Sequence, residues 1–296
     1  MGLKDHTKRV IDESQWTTAD GAYCAVVRAA FVRAYLLHLQ LEEAIGDDEK
    51  AIVWLSSNMR AICESYISLV FIKRKIDKED VDAYVSNMIN IETYESLKSQ
   101  GAFFERYRPI QPIARLENAE LDIKKSKLIQ NQYDLLRKNQ INKKAIGYEG
   151  RVKVRSMAVS LGLEQLYDYL YHATSRQVHF SPGSLLRSGW GEIEPVLIKF
   201  DPHNFYLYYM AFNEFYSIQL LAAFWTELSE YLGVDSCVGD EIESVGKEKR
   251  FARWPELVTF EELNIKTPWG EGESSTGRFV CELFSSDIPQ LFLPSD

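Results

Sequence analysis

The chain has 296 residues, 46% hydrophobic and 26% charged, which are ordinary values for a globular protein with a sizeable core and exclude wholesale disorder. Its formal net charge of −9 at pH 7 excludes a protein that coats nucleic acid over its whole surface, while a local basic groove stays open. Cys24, Cys63, Cys237 and Cys281 lie far apart with no paired spacing, which predicts reduced thiols that hold no metal.

The first residues, MGLKDHTKRVIDESQW, are polar and lack the apolar core of a signal segment. The longest apolar run, YISLVFI, is too short to cross a bilayer. Together these predict a cytoplasmic protein that makes no membrane contact. Residues 1–18 read as an N-terminal segment, 19–235 as a helical bundle domain, and 236–296 as an acidic, irregular extension. The expected fold class is all-α, a multi-helix bundle.

From Ala19 to Glu43, Val26, Ala30, Ala34, Leu37 and Leu41 recur at helical spacing, and Gly46 ends the run. Asp47 and Asp48 offer an N-cap for a second helix over 48–74, carrying Ile52, Leu55, Met59, Cys63, Ile67 and Val70. Asp77 and Asp80 resemble a capping pair for a third over 78–98. Gly101, Pro109 and Pro112 are expected to break the chain before another helical stretch, and a shorter helix ends at Gly162. The stretch LEQLYDYLYHATSRQVH predicts the next helix. Asp201-Pro202 then signals the start of a helix that is apolar almost all round and stops at Gly233, the pattern of a buried central helix. From Ser236 onward twelve acidic and six basic residues accompany frequent glycine, serine and proline. That composition predicts an extension docked on the main domain or on a protein partner.

One charge block stands out. Between Lys124 and Arg155 ten basic residues meet only Asp134 and Glu149, a local net charge of +8. It reads either as a solvated helix face or as a surface that tracks phosphates through Lys143, Lys144, Arg151, Lys153 and Arg155.

The stretch YHATSRQVHFSP, residues 171–182, holds the densest set of groups able to move protons. His172, Ser175, Arg176 and His179 share one helix face, and Ser181-Pro182 stops the helix. A polar cluster at a helix C-terminus is also favoured by the macrodipole alone, so a structural reading stands beside a chemical one. In SSNMRAICESYISL, Arg60 and Glu64 lie four apart on an otherwise apolar helix. They form an intrahelical ion pair or seek partners on another helix, with Glu64 orienting His179 or Arg176 and Arg60 meeting an anionic ligand. His172 and His179, seven apart, are too distant to chelate one ion unaided, so neither a metal nor a cofactor is expected.

RAICE followed by SLGLEQLYDYLYHATSRQVHFSPGSL resembles the bacterial domain-of-unknown-function family 5677, with a likeness over about residues 20–230. There an Arg-x-x-x-Glu helix precedes a Tyr-rich helix ending in Ser-x-x-x-His-x-Ser, which corresponds here to Arg60, Glu64, Ser175, His179 and Ser181. A more distant likeness is to the HEPN superfamily of helical bundles, many of them metal-independent ribonucleases of toxins and phage defence. Its signature sets four to six residues between an arginine and a histidine; two separate Arg176 from His179, and four separate Arg33 from His38. The likeness implies that His179 acts as general base or acid on an RNA 2′-hydroxyl and that Arg176 stabilises phosphorane charge. It further implies that Glu64 orients the histidine, that RNA lies on the basic 124–155 segment, and that the protein is a homodimer. The alternative is a non-enzymatic interaction or sensor module whose polar helix face is a structural network or ligand pocket.

Overall fold

The computed structural model describes residues 2–17, 19–47, 55–107, 118–178, 189–192, 197–200 and 206–251. The fold is all-α, as the 3.6-residue periodicity requires. Its helices are α1 (Thr7–Glu13), α2 (Ala22–Asp47), α3 (Ser57–Lys75), α4 (Val81–Tyr107), α5 (Asn118–Lys138), α6 (Val154–Leu161), α7 (Glu164–Val178), α8 (Tyr206–Leu232) and α9 (Ser236–Phe251). Among the described residues the strands are β1 (Gly189–Glu192) and β2 (Leu197–Phe200), paired antiparallel from Gly189 against Phe200 to Glu192 against Leu197. The chain divides into two compact units.

The first unit comprises Met1–Gln15, Ala30–Tyr66 and Leu163–Asp296. Its core is α8, whose Phe215, Ile218, Leu221, Phe224, Leu228 and Leu232 are buried, as an all-round apolar helix must be. Phe31 and Tyr66 bring their rings to Trp225 and Phe224, with centroids 6.3 and 5.4 Å apart. Gly233, at φ 70°, ends the helix where expected.

The extension predicted to be irregular from 236 onward is instead helical as far as Phe251, and residues 252–296 lie outside the described ones. The cause is the packing of α9 on α8. Gly239 lies so close to the Trp225 ring that any Cβ would collide with it, and Gly246 faces the Ala222 methyl. The Gly246 carbonyl also accepts a hydrogen bond from Gln219 Nε2 at 2.9 Å. Glycines that look like helix breakers are the residues that allow this close approach.

The second unit comprises Trp16–Ala29 and Ile67–Gly162. Here α4 and α5 run antiparallel, tied by Lys98–Asp122 at 2.8 Å, Lys125–Glu95 at 3.1 Å and Lys138–Asp80 at 2.8 Å. Helix α4 extends past the predicted end at 98 and carries Gly101 within it, since one interior glycine costs only about 1 kcal/mol against alanine. Asp80 precedes α4, but its carboxylate serves Lys138 and Asn139 rather than capping its own helix. Asp82 takes on a capping role for α2, accepting the Tyr23 N–H at 2.9 Å while Gly21 leaves room for the carboxylate. Gly162, at φ 74°, ends α6 as the sequence indicates.

Helix α3 begins at Ser57, later than the predicted start at 48; residues 48–54, the prolines Pro109 and Pro112, and the Asp201-Pro202 signal lie outside the described residues. Ala22–Ala44 of α2 is long and apolar enough, by length and composition, to cross a membrane, which a search for uninterrupted apolar runs does not reveal. Phe31, Tyr35, His38 and Leu41 of that stretch are buried in the protein, as in a core helix. No disulfide forms among the described cysteines, and burial pushes the Cys63 thiol far up from its ordinary range.

Candidate functional site

The Arg60/Glu64 patch owes its position to the pattern of α3. Met59, Ile62, Cys63 and Tyr66 form the buried stripe, which leaves Arg60 and Glu64 on its flank with 23% and 29% of their side chains exposed. Arg60 Nε donates to Glu64 Oε1 at 2.7 Å. The guanidinium also lies over the ring of Tyr171, 4.1 Å from its centroid.

On α7 the buried stripe is Leu166, Leu170 and Thr174, with the Thr174 hydroxyl donating to the Leu170 carbonyl at 2.7 Å. Tyr167 and Tyr171 flank it one turn apart, their ring centroids separated by 5.7 Å. The sequence pointed to His172, Ser175, Arg176 and His179 as the partners of the Arg60/Glu64 patch. Among the described side chains, Tyr171 of α7 makes a contact with Arg60. His172 is exposed and Ser175 half-buried, both on α7; Arg176 belongs to the same helix, but its side chain lies outside the described ones, as does all of His179.

Two effects act on the Arg60 charge. Partial burial opposes it, and the hydrogen bond and negative charge of Glu64 more than offset that, so the guanidinium is more firmly protonated than usual. Burial, with Glu64 adding to it, pushes the Tyr167 phenol above its ordinary value. Among the described residues, no acceptor meets the terminal nitrogens Nη1 and Nη2 of Arg60. The side chain is thus fixed along one edge and one face, with its outer fork open. Tyr167 and Tyr171 escaped the sequence reading as partners of Arg60, although the i, i+4 tyrosine pair was legible in LYDYLY.

The Arg33–His38 spacing does not form a site. His38 is 1% exposed, with Nδ1 at 2.8 Å from Ser217 Oγ, whereas Arg33 is exposed; residues five apart point to different sides of a helix.

The basic segment, in the second unit, is less positive than its sequence. Lys124 pairs with Glu120, and Lys125 with Glu95 and Glu149. Arg137 pairs with Asp134, and Lys138 with Glu79 and Asp80. Arg151 sits 2.6 Å from Glu95 and 3.6 Å from Glu92, and so serves as a structural cation. Lys127, Lys143, Lys144 and Lys153 are exposed and meet no carboxylate at ion-pair distance among the described residues. Arg155 is exposed in the first turn of α6. No three His, Cys, Asp or Glu side chains among the described residues are grouped to hold a metal ion.

Residues 55–192 match the model of a family of unknown function, DUF5677. The match contains Arg60, Glu64 and all of α7, and stops short of α8 and α9. No curated protein and no solved structure matches the chain.

Proposed function

We propose that this chain is a HEPN-like, metal-independent ribonuclease of a bacterial toxin or antiviral defence system. The observation that carries the reading is the Arg60 guanidinium, tied at Nε to Glu64, backed by Tyr171 and open at its outer nitrogens among the described residues. A planar fork of donors held in that way suits the oxygens of a phosphodiester. In this reading His179 takes the proton of the RNA 2′-hydroxyl, whose oxygen attacks the adjacent phosphorus. The bond to the 5′-oxygen breaks, that oxygen takes up a proton, and a 2′,3′-cyclic phosphate remains. Arg60 and Arg176 offset the charge that builds on the non-bridging oxygens, and Glu64 positions Arg60. Ser175 and His172 lie on the same helix as Arg176 and complete the polar face.

The test is cleavage of end-labelled RNA by the full chain in buffer containing EDTA. His179→Ala is expected to lower the rate about 100-fold or more, and Arg176→Ala about as much. Undiminished cleavage in both variants overturns the mechanism. A homodimer in the cytoplasm is part of the proposal, and sedimentation of the purified chain checks the dimer.

A second reading has its own support: the ion pairs that neutralise Lys124, Lys125, Lys138 and Arg151 shrink the surface left for an RNA backbone. In it the chain is a non-enzymatic module that binds an anionic ligand at Arg60, and Arg60→Ala abolishes binding with no turnover at stake.

A further inference from the structure

The loop between α5 and α6 is built with care around one exposed ring. Ile146 and Val152 form an antiparallel bridge, Gly147 N–H donates to the Arg151 carbonyl at 2.7 Å, and Lys153 N–H to the Ala145 carbonyl at 2.9 Å. At the tip, Glu149 adopts φ 57°, a left-handed conformation that a residue with a side chain rarely takes. Its carboxylate is buried and paired with Lys125 of α5. Gly150 follows at φ 74°, where a Cβ would press on Gln132 Cγ at 3.1 Å. The inward side of the tip is thus locked to α5, and its neighbour Tyr148 is 81% exposed.

A tyrosine normally hides its ring and exposes only its hydroxyl, so a ring held outward by a strained, ion-paired turn calls for a ligand with a flat face. The charge around it names the class. Lys143, Lys144 and Lys153 on the arms of the loop are exposed and meet no carboxylate at ion-pair distance among the described residues. Lys153 Nζ lies 3.5 Å from the Lys144 carbonyl, which brings the two arms together. Glu149, the lone acid between Asn142 and Arg155, is turned inward and neutralised.

We infer that this loop binds single-stranded nucleic acid, with one base stacked on Tyr148 and the flanking phosphates held by Lys143, Lys144 and Lys153. Stacking tolerates any base because every base has a π face, and a paired helix withholds those faces inside its own stack. The inference deepens the ribonuclease reading by naming where the strand is held, and it rests on that reading only for the choice of RNA.

The experiment is fluorescence anisotropy of the full chain with labelled unstructured 12-mers of RNA and DNA and with a matched RNA duplex. Tyr148→Ala is expected to weaken single-strand binding about 5- to 100-fold, with Tyr148→Phe close to wild type. Lys143→Ala with Lys144→Ala is expected to flatten the slope of log affinity against log salt by roughly 1.4, about 0.7 for each lost phosphate contact. Circular dichroism melts confirm folding of each variant. Three outcomes overturn the inference: unchanged binding in Tyr148→Ala, equal or tighter binding of the duplex, or poly-glutamate bound as tightly as the RNA strand. Loss of binding in Tyr148→Ala with no cleavage by the wild type keeps this site and sinks the ribonuclease. Cleavage that needs His179 alongside unchanged binding in Tyr148→Ala does the reverse.

Discussion

Two sets of charges in this protein do opposite work. In the second unit, Lys125 and Lys138 bridge α5 to α4 and to the Glu149 turn, and each cation meets two carboxylates. In the first unit, among the described residues, Arg60 meets one carboxylate, through Nε, and a tyrosine ring covers its face. The first set is consumed by the fold. The second leaves donors over, and surplus hydrogen-bonding capacity on an oriented side chain is what a ligand can use. An ion pair therefore says little about function until the remaining donors are counted.

That contrast can be broken by substitution, beginning where the effect is largest. Arg60→Met should lower RNA cleavage about 100-fold, while the melting temperature moves by less than about 2 °C, because an i, i+4 pair adds only a few tenths of a kcal/mol and methionine keeps an apolar stem against Tyr171. A large fall in Tm with cleavage intact would show that Arg60 belongs with the structural set. Lys125→Met should reverse the pattern. It strands the buried Glu149 carboxylate and should cost about 1–3 kcal/mol in a denaturant melt.

Asp80→Asn tests the same set by acid. The hydrogen bond from the Lys138 ammonium holds the Asp80 carboxyl below the usual carboxylate range. A carboxyl whose pKa is depressed in the folded state adds stability above its unfolded value, about 3.9, and loses it as pH falls through the folded one. Melts from pH 6 down to pH 2 should show wild type above the variant near neutrality and the gap closing as pH falls through the lowered Asp80 value. Parallel curves would remove Asp80 from the set. The smallest effect is expected at Lys127, which meets no carboxylate among the described residues: Lys127→Ala should stay within about 0.5 kcal/mol of wild type.

The same contrast shows what was legible in the amino acids. The start of α7, the Gly162 stop of α6 and the buried character of α8 followed from local pattern, because caps, glycines and apolar spacing act within a few residues, whereas Ser181-Pro182 lies outside the described residues. The net charge of the 124–155 block was legible in the sequence, but not how much of it is paired within the fold, since Glu92 and Glu95 come from α4 and Glu79 and Asp80 from the residues just before it. No window along the chain contains both halves of such a pair. Helix α9 was missed for a related reason. Gly239 and Gly246 lower helix propensity, and only the Trp225 ring and the Ala222 methyl make their bareness useful. The meeting of Arg60 with Tyr171 joins residues more than a hundred positions apart, and the histidines nearby in sequence drew attention from the tyrosines.

The N-terminal turn carries a consequence for how the protein is made. Arg9 donates to Asp235 at 2.8 Å, and Glu13 accepts the Asp235 N–H at 2.9 Å. These partners are separated by 226 and 222 residues. At about 5–20 residues per second on the ribosome, α1 waits roughly 10–45 s for the segment it grips. Through that interval the nascent N-terminal turn, with Leu3, lacks the native cover it receives from α9 and is open to chaperones. The second unit draws all its segments from the first 162 residues and can close well before the last helices emerge. The order of synthesis thus makes the ion-paired unit a folded companion to a first unit that is still waiting for its own C-terminal half.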